Sequence, residues 1–338
     1  MGHSMKSAET ISGAAVGRHA NAPWHIPLSG WKEIIFRVVG DFLENRILLT
    51  AAGVTFFVLL SLVPTLSAIV TLYGLFNDST SVLNHVQLLS GFMPPSALSL
   101  LEDQLTRLIS ASNNSLGWTF LFSLAIALWS ASAGVKALFE AMNVAYKEKE
   151  RRSFIAVNAL GLFFTFAGAI VTVVVLTVVL VLPAALQFFP AFGLEWAVRI
   201  GSYAVMLATI AFMVAAFYRW GPCRRQAKWR WIMPGVIMSL IFLAATSAGF
   251  SWYVTNFPQQ NAASGSLGAV IGLMTWIWFS STIVIVGALL NASIELQTGR
   301  DSTLGPSRPL GKRGAYVADT IGGAPDTQPG HLDTVSIS

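Results

Sequence analysis

Ser132, Lys136, Glu140 and Asn143 lie within "ALWSASAGVKALFEAMNVAYKEKERR", residues 127–152, a stretch that starts as apolar sequence and ends in a cluster of charges. At about 100° per residue, these residues share one narrow helical face, with Trp129 beside them. An amine and a carboxylate four residues apart on a helix can meet. A charge at the centre of a membrane helix costs roughly 2.5–3.5 kcal/mol, so groups of this kind mark paths for protons, ions or headgroups. Asn291 and Glu295 bring a second polar pair near the end of the last apolar stretch. Together, Ser132, Lys136, Glu140, Asn143, Asn291 and Glu295 form a candidate polar path. The competing reading makes Lys136 a snorkelling lysine, since Lys147 is only about 16 Å further along a helix, and leaves Glu140 at the membrane interface.

Other chemistry is sparse. No HExxH, CxxC, Walker-type or GxSxG pattern occurs. None of the histidines falls within an apolar stretch long enough to span a membrane, and the one cysteine, Cys223, has no partner for an intramolecular disulfide. The sequence therefore leads us to expect no catalytic residue, no metal site and no cofactor; the chain does not read as an enzyme. In "SGSLGAVIGL" (264–273), Gly268 and Gly272 are four apart inside apolar sequence, the spacing of close helix packing rather than of a phosphate loop.

The elements that would position these residues are membrane helices. The 338 residues are 54% hydrophobic and 11% charged, with mean hydropathy +0.63, whereas a soluble domain carries about 25% charged residues. Residues 47–77, 153–194 and 231–294 contain no Asp, Glu, Lys or Arg, and about 20 apolar residues suffice to cross the hydrocarbon core. Hydropathy predicts helices near 47–76, 117–143, 154–183, 194–218, 231–256 and 266–297. Pro64, in the middle of the first, predicts a kink. Of the 21 lysines and arginines, all but Arg107, Arg199 and Lys136 precede the first helix, fall between helices two and three or four and five, or follow the sixth. That asymmetry predicts cytoplasmic N- and C-termini. The fold expected is an all-α integral membrane protein, a bundle of six transmembrane helices with amphipathic interfacial helices.

Two amphipathic segments flank the bundle. In "WKEIIFRVVGDFLENR" (31–46), Trp31, Ile34, Ile35, Val38, Phe42 and Leu43 recur at helical spacing opposite Lys32, Glu33, Arg37, Asp41 and Glu44, which predicts an interfacial helix. A second stripe, Leu98, Leu101, Leu105 and Leu108, marks residues 94–109 on the outer side. Residues 1–30 read as a disordered N-terminal arm, residues 31–298 as the transmembrane domain, and residues 299–338, rich in Gly, Pro, Ser and Thr, as a disordered cytoplasmic tail. The net charge of +5 fits basic loops facing anionic lipid and requires no nucleic-acid partner.

Three blocks carry a resemblance: "LLTAAGVTFFVLLSLVPTL", "SASAGVKALFEAMNVAY" and "GSLGAVIGLMTWIWFSSTIVIVGALLNA", in this order and with the "RWGPCRRQAKWRWIMPGVIMSLIF" turn between the last two. Over about residues 30–298 the chain resembles the YihY/BrkB family of bacterial inner-membrane proteins, sometimes labelled ribonuclease BN. The resemblance implies six helices and a multi-pass location in the bacterial cytoplasmic membrane. The chain departs from the family pattern at Phe56 and Phe57, where tyrosine is common, and at Leu289, where glutamate often stands. If that glutamate handles protons or ions in relatives, this chain either lacks the function or uses Glu295.

The functional expectation is a transporter or lipid-translocating protein acting on a lipid or small molecule. The alternative is a non-catalytic membrane scaffold for cell-envelope partners, and a ribonuclease ranks last. Membrane lipids are the expected partners, with a homo-oligomer compatible with everything in the sequence.

Overall fold

The computed structural model describes residues 16–76, 113–178, 195–256 and 258–322. Among them every regular element of any length is helical: α1 (Leu28–Glu44), α2 (Ile47–Phe76), α3 (Asn113–Ala145), α4 (Phe154–Leu176), α5 (Glu195–Trp220), α6 (Trp229–Asn256), α7 (Pro258–Gln297) and a single turn, α8 (Tyr316–Asp319). The charge-free runs became helices because a chain in hydrocarbon must satisfy its backbone polar groups internally. Segments of α3, α4, α5, α6 and α7 are long and apolar enough to cross a membrane. The bent pair formed by α1 and the 30-residue α2 brings the candidate spans among the described residues to as many as six. The outer amphipathic segment expected at 94–109 lies outside the described residues.

Between α1 and α2 the chain bends by 62°. The bend sits at Asn45–Arg46, where Arg46 takes a left-handed conformation, φ 50°. α2 runs through Pro64, whose side-chain surroundings lie outside the described residues. α7 is the axis of the bundle, packing on α1, α2, α3 and α6. Its tightest crossing is with α6. A Cβ at Gly235 would strike the Gly287 carbonyl and the Asn291 amide, and one at Gly287 would strike Tyr218 Oη and Ser239 Oγ. Tyr218 Oη donates to the Val284 carbonyl (2.8 Å) and shares a 2.7 Å hydrogen bond with Ser239 Oγ. The sequence pointed to Gly268 and Gly272 for close packing. Gly272 does lie against the Phe250 ring, 3.3 Å from an added Cβ; the surroundings of Gly268 lie outside the described residues.

The buried core occupies one half of the bundle, the half that carries the basic loops. Ile47, Ala51, Met142, Tyr146, Ala215, Ile232, Ile285, Ala288 and Leu289 form its centre. Beside it, Phe139 and Phe164 meet edge to face at 5.2 Å, with Phe217 against both. Toward the far end burial stops: no residue from Leu240 to Tyr253 is buried, only Ile277 is buried between Val270 and Val284, and only Ser202 between Gly201 and Met213.

Both flanks, expected to be disordered, need correction. Of the arm, residues 16–30 are folded, with a 3-10 turn at Pro23–His25 and with Ala20, Ala22 and Ile26 buried. Of the tail, residues 299–322 are folded onto the basic end, where Asp301, Thr303, Arg313, Val317 and Ala318 are buried and Ala227 and Thr303 form a β-bridge. Polar, glycine-rich composition suggested disorder because such segments bury little apolar surface. Here side-chain bonds replace it. Asp301 Oδ1 accepts from Thr303 N–H and Oγ1, and its Oδ2 accepts from Arg308 N–H. Arg313 donates to the carbonyls of Ala318 (2.6 Å) and Gly299 (2.7 Å).

Candidate functional site

The polar residues of the bundle gather where α3, α5 and α7 end. α3 stops at Ala145 because Lys147 turns left-handed, φ 56°, and Glu148 N–H bonds back to the Asn143 carbonyl at 2.8 Å, the reversal that closes many helices. That turn aims Asn143 at two loops at once. Its Oδ1 accepts from Cys223 N–H (2.7 Å) and its Nδ2 donates to Glu150 Oε2 (3.0 Å). Glu150 also pairs with Arg152 at 2.6 Å, and Arg152 donates onward to the Gly221 carbonyl at 2.8 Å. The Arg152 guanidinium holds the Glu150 carboxyl down to about 2, against the opposing pull of partial burial.

Beneath this layer Glu295 is fully buried on the last turn of α7. Arg224 reaches both its oxygens, at 2.8 and 3.0 Å, and Ser302 Oγ donates to Oε2 at 2.6 Å. The Arg224 guanidinium lies 4.4 Å from the centre of the Tyr146 ring. Burial alone would lower the pKa of Arg224; the Glu295 carboxylate reverses this and holds it above its ordinary value. One turn earlier, Asn291 Oδ1 accepts from Gly235 N–H at 2.8 Å, binding α7 to α6 just after Pro234. α1 closes the assembly from the side. Asp41 pairs with Lys147 at 3.0 Å, Arg37 donates to the Ser293 carbonyl, and Glu33 accepts from Gln297. Much of the charged row of α1 thus faces α7, while Ile35, Phe36, Val39 and Leu43 are exposed.

The proposed path is split by this arrangement. Lys136 does not meet Glu140. Its ammonium donates to Asn158 Oδ1 on α4 at 2.8 Å and sits 5.4 Å from the Trp129 ring centre, while Glu140 is exposed and joins none of the ion pairs among the described residues. The reason is local: the Lys136 stem and Ser132 Oγ lie over Gly161, 3.1 and 2.9 Å from where a Cβ would be. That close approach of α4 offers Lys136 a neutral acceptor without desolvating a carboxylate, and lysine preceding glutamate is the weaker order in any case. Ser132 and Lys136 therefore belong to the α3–α4 contact; Asn143, Asn291 and Glu295 belong to the basic-end network; Glu140 belongs to neither.

Sequence reasoning missed Arg224, Ser302 and the Glu150–Arg152 pair as members of the site. A fully buried carboxylate demands a cation, so Glu295 was a signal that some arginine must reach it. Which one was not legible, because Arg224 is 71 residues away. Leu289 is fully buried in the apolar core. Among the described residues no three His, Cys, Asp or Glu side chains gather as metal ligands would.

Comparison with known proteins agrees with the architecture. The ribonuclease-like protein YfkH of Bacillus subtilis is 31% identical over 261 residues, covering 72% of this chain and 89% of its own length. A UPF0761 membrane protein of Alteromonas mediterranea is 26% identical over 256 residues, covering 74% of this chain and 84% of its own, and one of Idiomarina loihiensis is 26% identical over 217 residues, covering 63% and 72%. No solved structure matches. The family described as Virulence factor BrkB matches residues 38–310, and the chain belongs to that family of membrane proteins.

Proposed function

We propose that this protein moves a lipid or another amphipathic small molecule across the bacterial cytoplasmic membrane, with both termini on the cytoplasmic side. The observation that carries the proposal is the one-sided core. In a closed bundle every helix buries an inner stripe, yet α6 buries nothing from Leu240 to Tyr253. Among the described residues the helices are tightly packed at the basic end and only partly covered toward the other. There Leu240, Leu243, Thr246 and Phe250 of α6 are half-buried and the residues between them exposed, an arrangement that leaves room for a cleft open to lipid. The cleft walls are apolar with a few hydroxyls and indoles, such as Ser247, whose Oγ accepts from Trp276 Nε1 at 3.3 Å. Such walls suit acyl chains better than a hydrated ion. A scaffold has no need of inner faces on α5, α6 and α7 that are only half-buried.

The orientation follows the basic loops, and the ordered flanks lie on that side. The proposal gives the protein no enzymatic role. The ribonuclease-like label belongs to the Bacillus relative, and here Glu150 is tied to Arg152 and Glu295 to Arg224. The test is reconstitution into liposomes carrying fluorescently labelled phospholipid, with dithionite added outside. Protein-containing vesicles should lose clearly more than the outer-leaflet half of the signal. Loss identical to that of protein-free vesicles, for both anionic and zwitterionic probes, would move the protein to the scaffold class.

A further inference from the structure

We infer that the basic end holds a binding pocket for a phosphate group. A cavity of about 400 Å³ opens there, lined by Arg152, Arg219, Arg224 and Arg225 together with Trp220 and Cys223, with no carboxylate in its lining among the described residues. Arg152 and Arg224 have their charges matched by Glu150 and Glu295; Arg219 and Arg225 form no ion pair among the described residues. The pocket therefore carries an uncompensated positive charge inside a folded wall rather than on an open surface.

Hydrogen bonding points the same way. Arg219 Nε, Arg224 Nη1 and Arg225 Nη1 are buried and have no hydrogen-bond partner among the described residues. Each buried, unmatched donor has given up its water without a replacement, which destabilises the empty pocket. Arg224 is the most constrained, its side chain 1% exposed and stacked on Tyr146. Arg219 is set by Trp229, whose ring centre lies 4.5 Å away, and by the Ala227 carbonyl at 2.9 Å. Arg225 lies against Gly305 and makes one long side-chain hydrogen bond, 3.5 Å to the Pro306 carbonyl, so its guanidinium is the least committed of the three. A tetrahedral oxyanion answers both deficits at once, because planar guanidinium forks match phosphate oxygens in pairs.

The depth of the pocket fits more than one source of phosphate. Trp220 lines it, Trp229 lies behind Trp220 with the ring centres 6.1 Å apart, and paired tryptophans at a helix end sit at headgroup level. A lipid headgroup would enter from the side and a soluble phosphate from the aqueous face. This inference does not depend on transport, since binding is read on protein that is not moving anything.

The experiment uses the full chain, purified in detergent and stripped of lipid. Inorganic phosphate and glycerol 3-phosphate are titrated against tryptophan fluorescence. In parallel, native mass spectrometry records retention of phosphatidylglycerol against a diacylglycerol of the same chains. Saturable binding should weaken at least about tenfold in Arg225→Gln, partly recover in Arg225→Lys, and stay within twofold in Arg230→Gln, which removes an exposed charge outside the pocket. Retention of phosphatidylglycerol alone identifies the headgroup as the ligand, and response to the soluble probes alone identifies a free phosphate compound; either supports the pocket. The inference is overturned if neither probe binds, or if Arg225→Gln and Arg230→Gln behave alike.

Discussion

The Arg224–Glu295 pair offers the most exacting test of the basic end, because both side chains are almost wholly removed from solvent, 1% and 0% exposed. Glu295→Gln removes the negative charge and strands a guanidinium that already has one unmatched nitrogen. Arg224→Met strands the carboxylate with Ser302 Oγ as its remaining donor. Breaking a buried pair by removing one partner costs about 3–5 kcal/mol, most of it the uncompensated charge. The double change leaves no charge to strand. The methionine fills the space over Tyr146, and the new side-chain amide on α7 still accepts from Ser302, so the net loss should be about 1 kcal/mol, the scale of a single neutral hydrogen bond. The expected order is therefore that either single variant is less stable than the double. The measurement is unfolding in mixed micelles with increasing dodecyl sulfate, followed by tryptophan fluorescence, for the four members of the cycle. Singles that each lose less than about 1 kcal/mol would show that water reaches the pair; a double variant that loses the sum of the singles, about 6–10 kcal/mol, would show that the two residues act independently.

The Glu150 carboxyl, held down to about 2 by Arg152, contributes stability that is complete above the ordinary carboxyl range and disappears as the pH falls from about 4.5 toward 2. The gap in melting temperature between the wild-type protein and Glu150→Gln should narrow across that window, and a gap independent of pH would contradict the assignment. Glu140→Gln should change stability by no more than about 0.5 kcal/mol, as exposed substitutions do. Lys136→Met should be as costly alone as in an Asn158→Leu background if the two do not interact; the geometry instead predicts coupling, read from a double-mutant cycle. Arg313→Ala removes donors to Ala318, Gly299 and Arg308 carbonyls and should open residues 300–322 to limited proteolysis in micelles, whereas unchanged cleavage would mean that other contacts hold the segment. For orientation, single cysteines at Ser112 and Ala262 in a Cys223→Ser background should react with an impermeant thiol reagent in intact cells while one at Ser307 should not; the reverse pattern inverts the bundle.

The helices were legible because hydrocarbon imposes a simple rule on the chain: no charge over some twenty residues. α2, α4, α6 and α7 obey it almost to their ends. α1 was legible as amphipathic but not in what its two faces do. Periodicity gives a polar and an apolar row without saying that Arg37 and Glu33 turn inward to Ser293 and Gln297 while Phe36 and Leu43 face out. The polar face of α3 was real, since Ser132 and Asn143 are buried, yet the partners that divide it, Asn158 and Cys223, come from other segments. Helical spacing reports neighbours within one helix; the network at the basic end is made of contacts between loops, which no local period encodes. The fold of residues 299–322 was invisible for the same reason, its stability resting on Asp301 and Arg313 rather than on an apolar stripe.

The strap formed by Val16, Arg18 and Ala20 has a consequence for how the chain is assembled. Their carbonyls receive Gln297 Nε2, Gly299 N–H and Thr298 Oγ1 at 3.0, 2.8 and 2.7 Å, joining positions as much as 281 residues apart. Synthesis runs from the N-terminus, so the first of these segments to be made finds its partner only after the last long helix has been inserted. Until then these three carbonyls lack their partners, although Ala20 and Ile26 can already pack on Ile34 and Trp231. The strap is therefore a late, separable closure of the structure, a unit that can come undone while the helices beneath it stay in place. Hydrogen exchange should see this as protection at Gly299 N–H that is lost well before that of the Gly235 N–H held by Asn291.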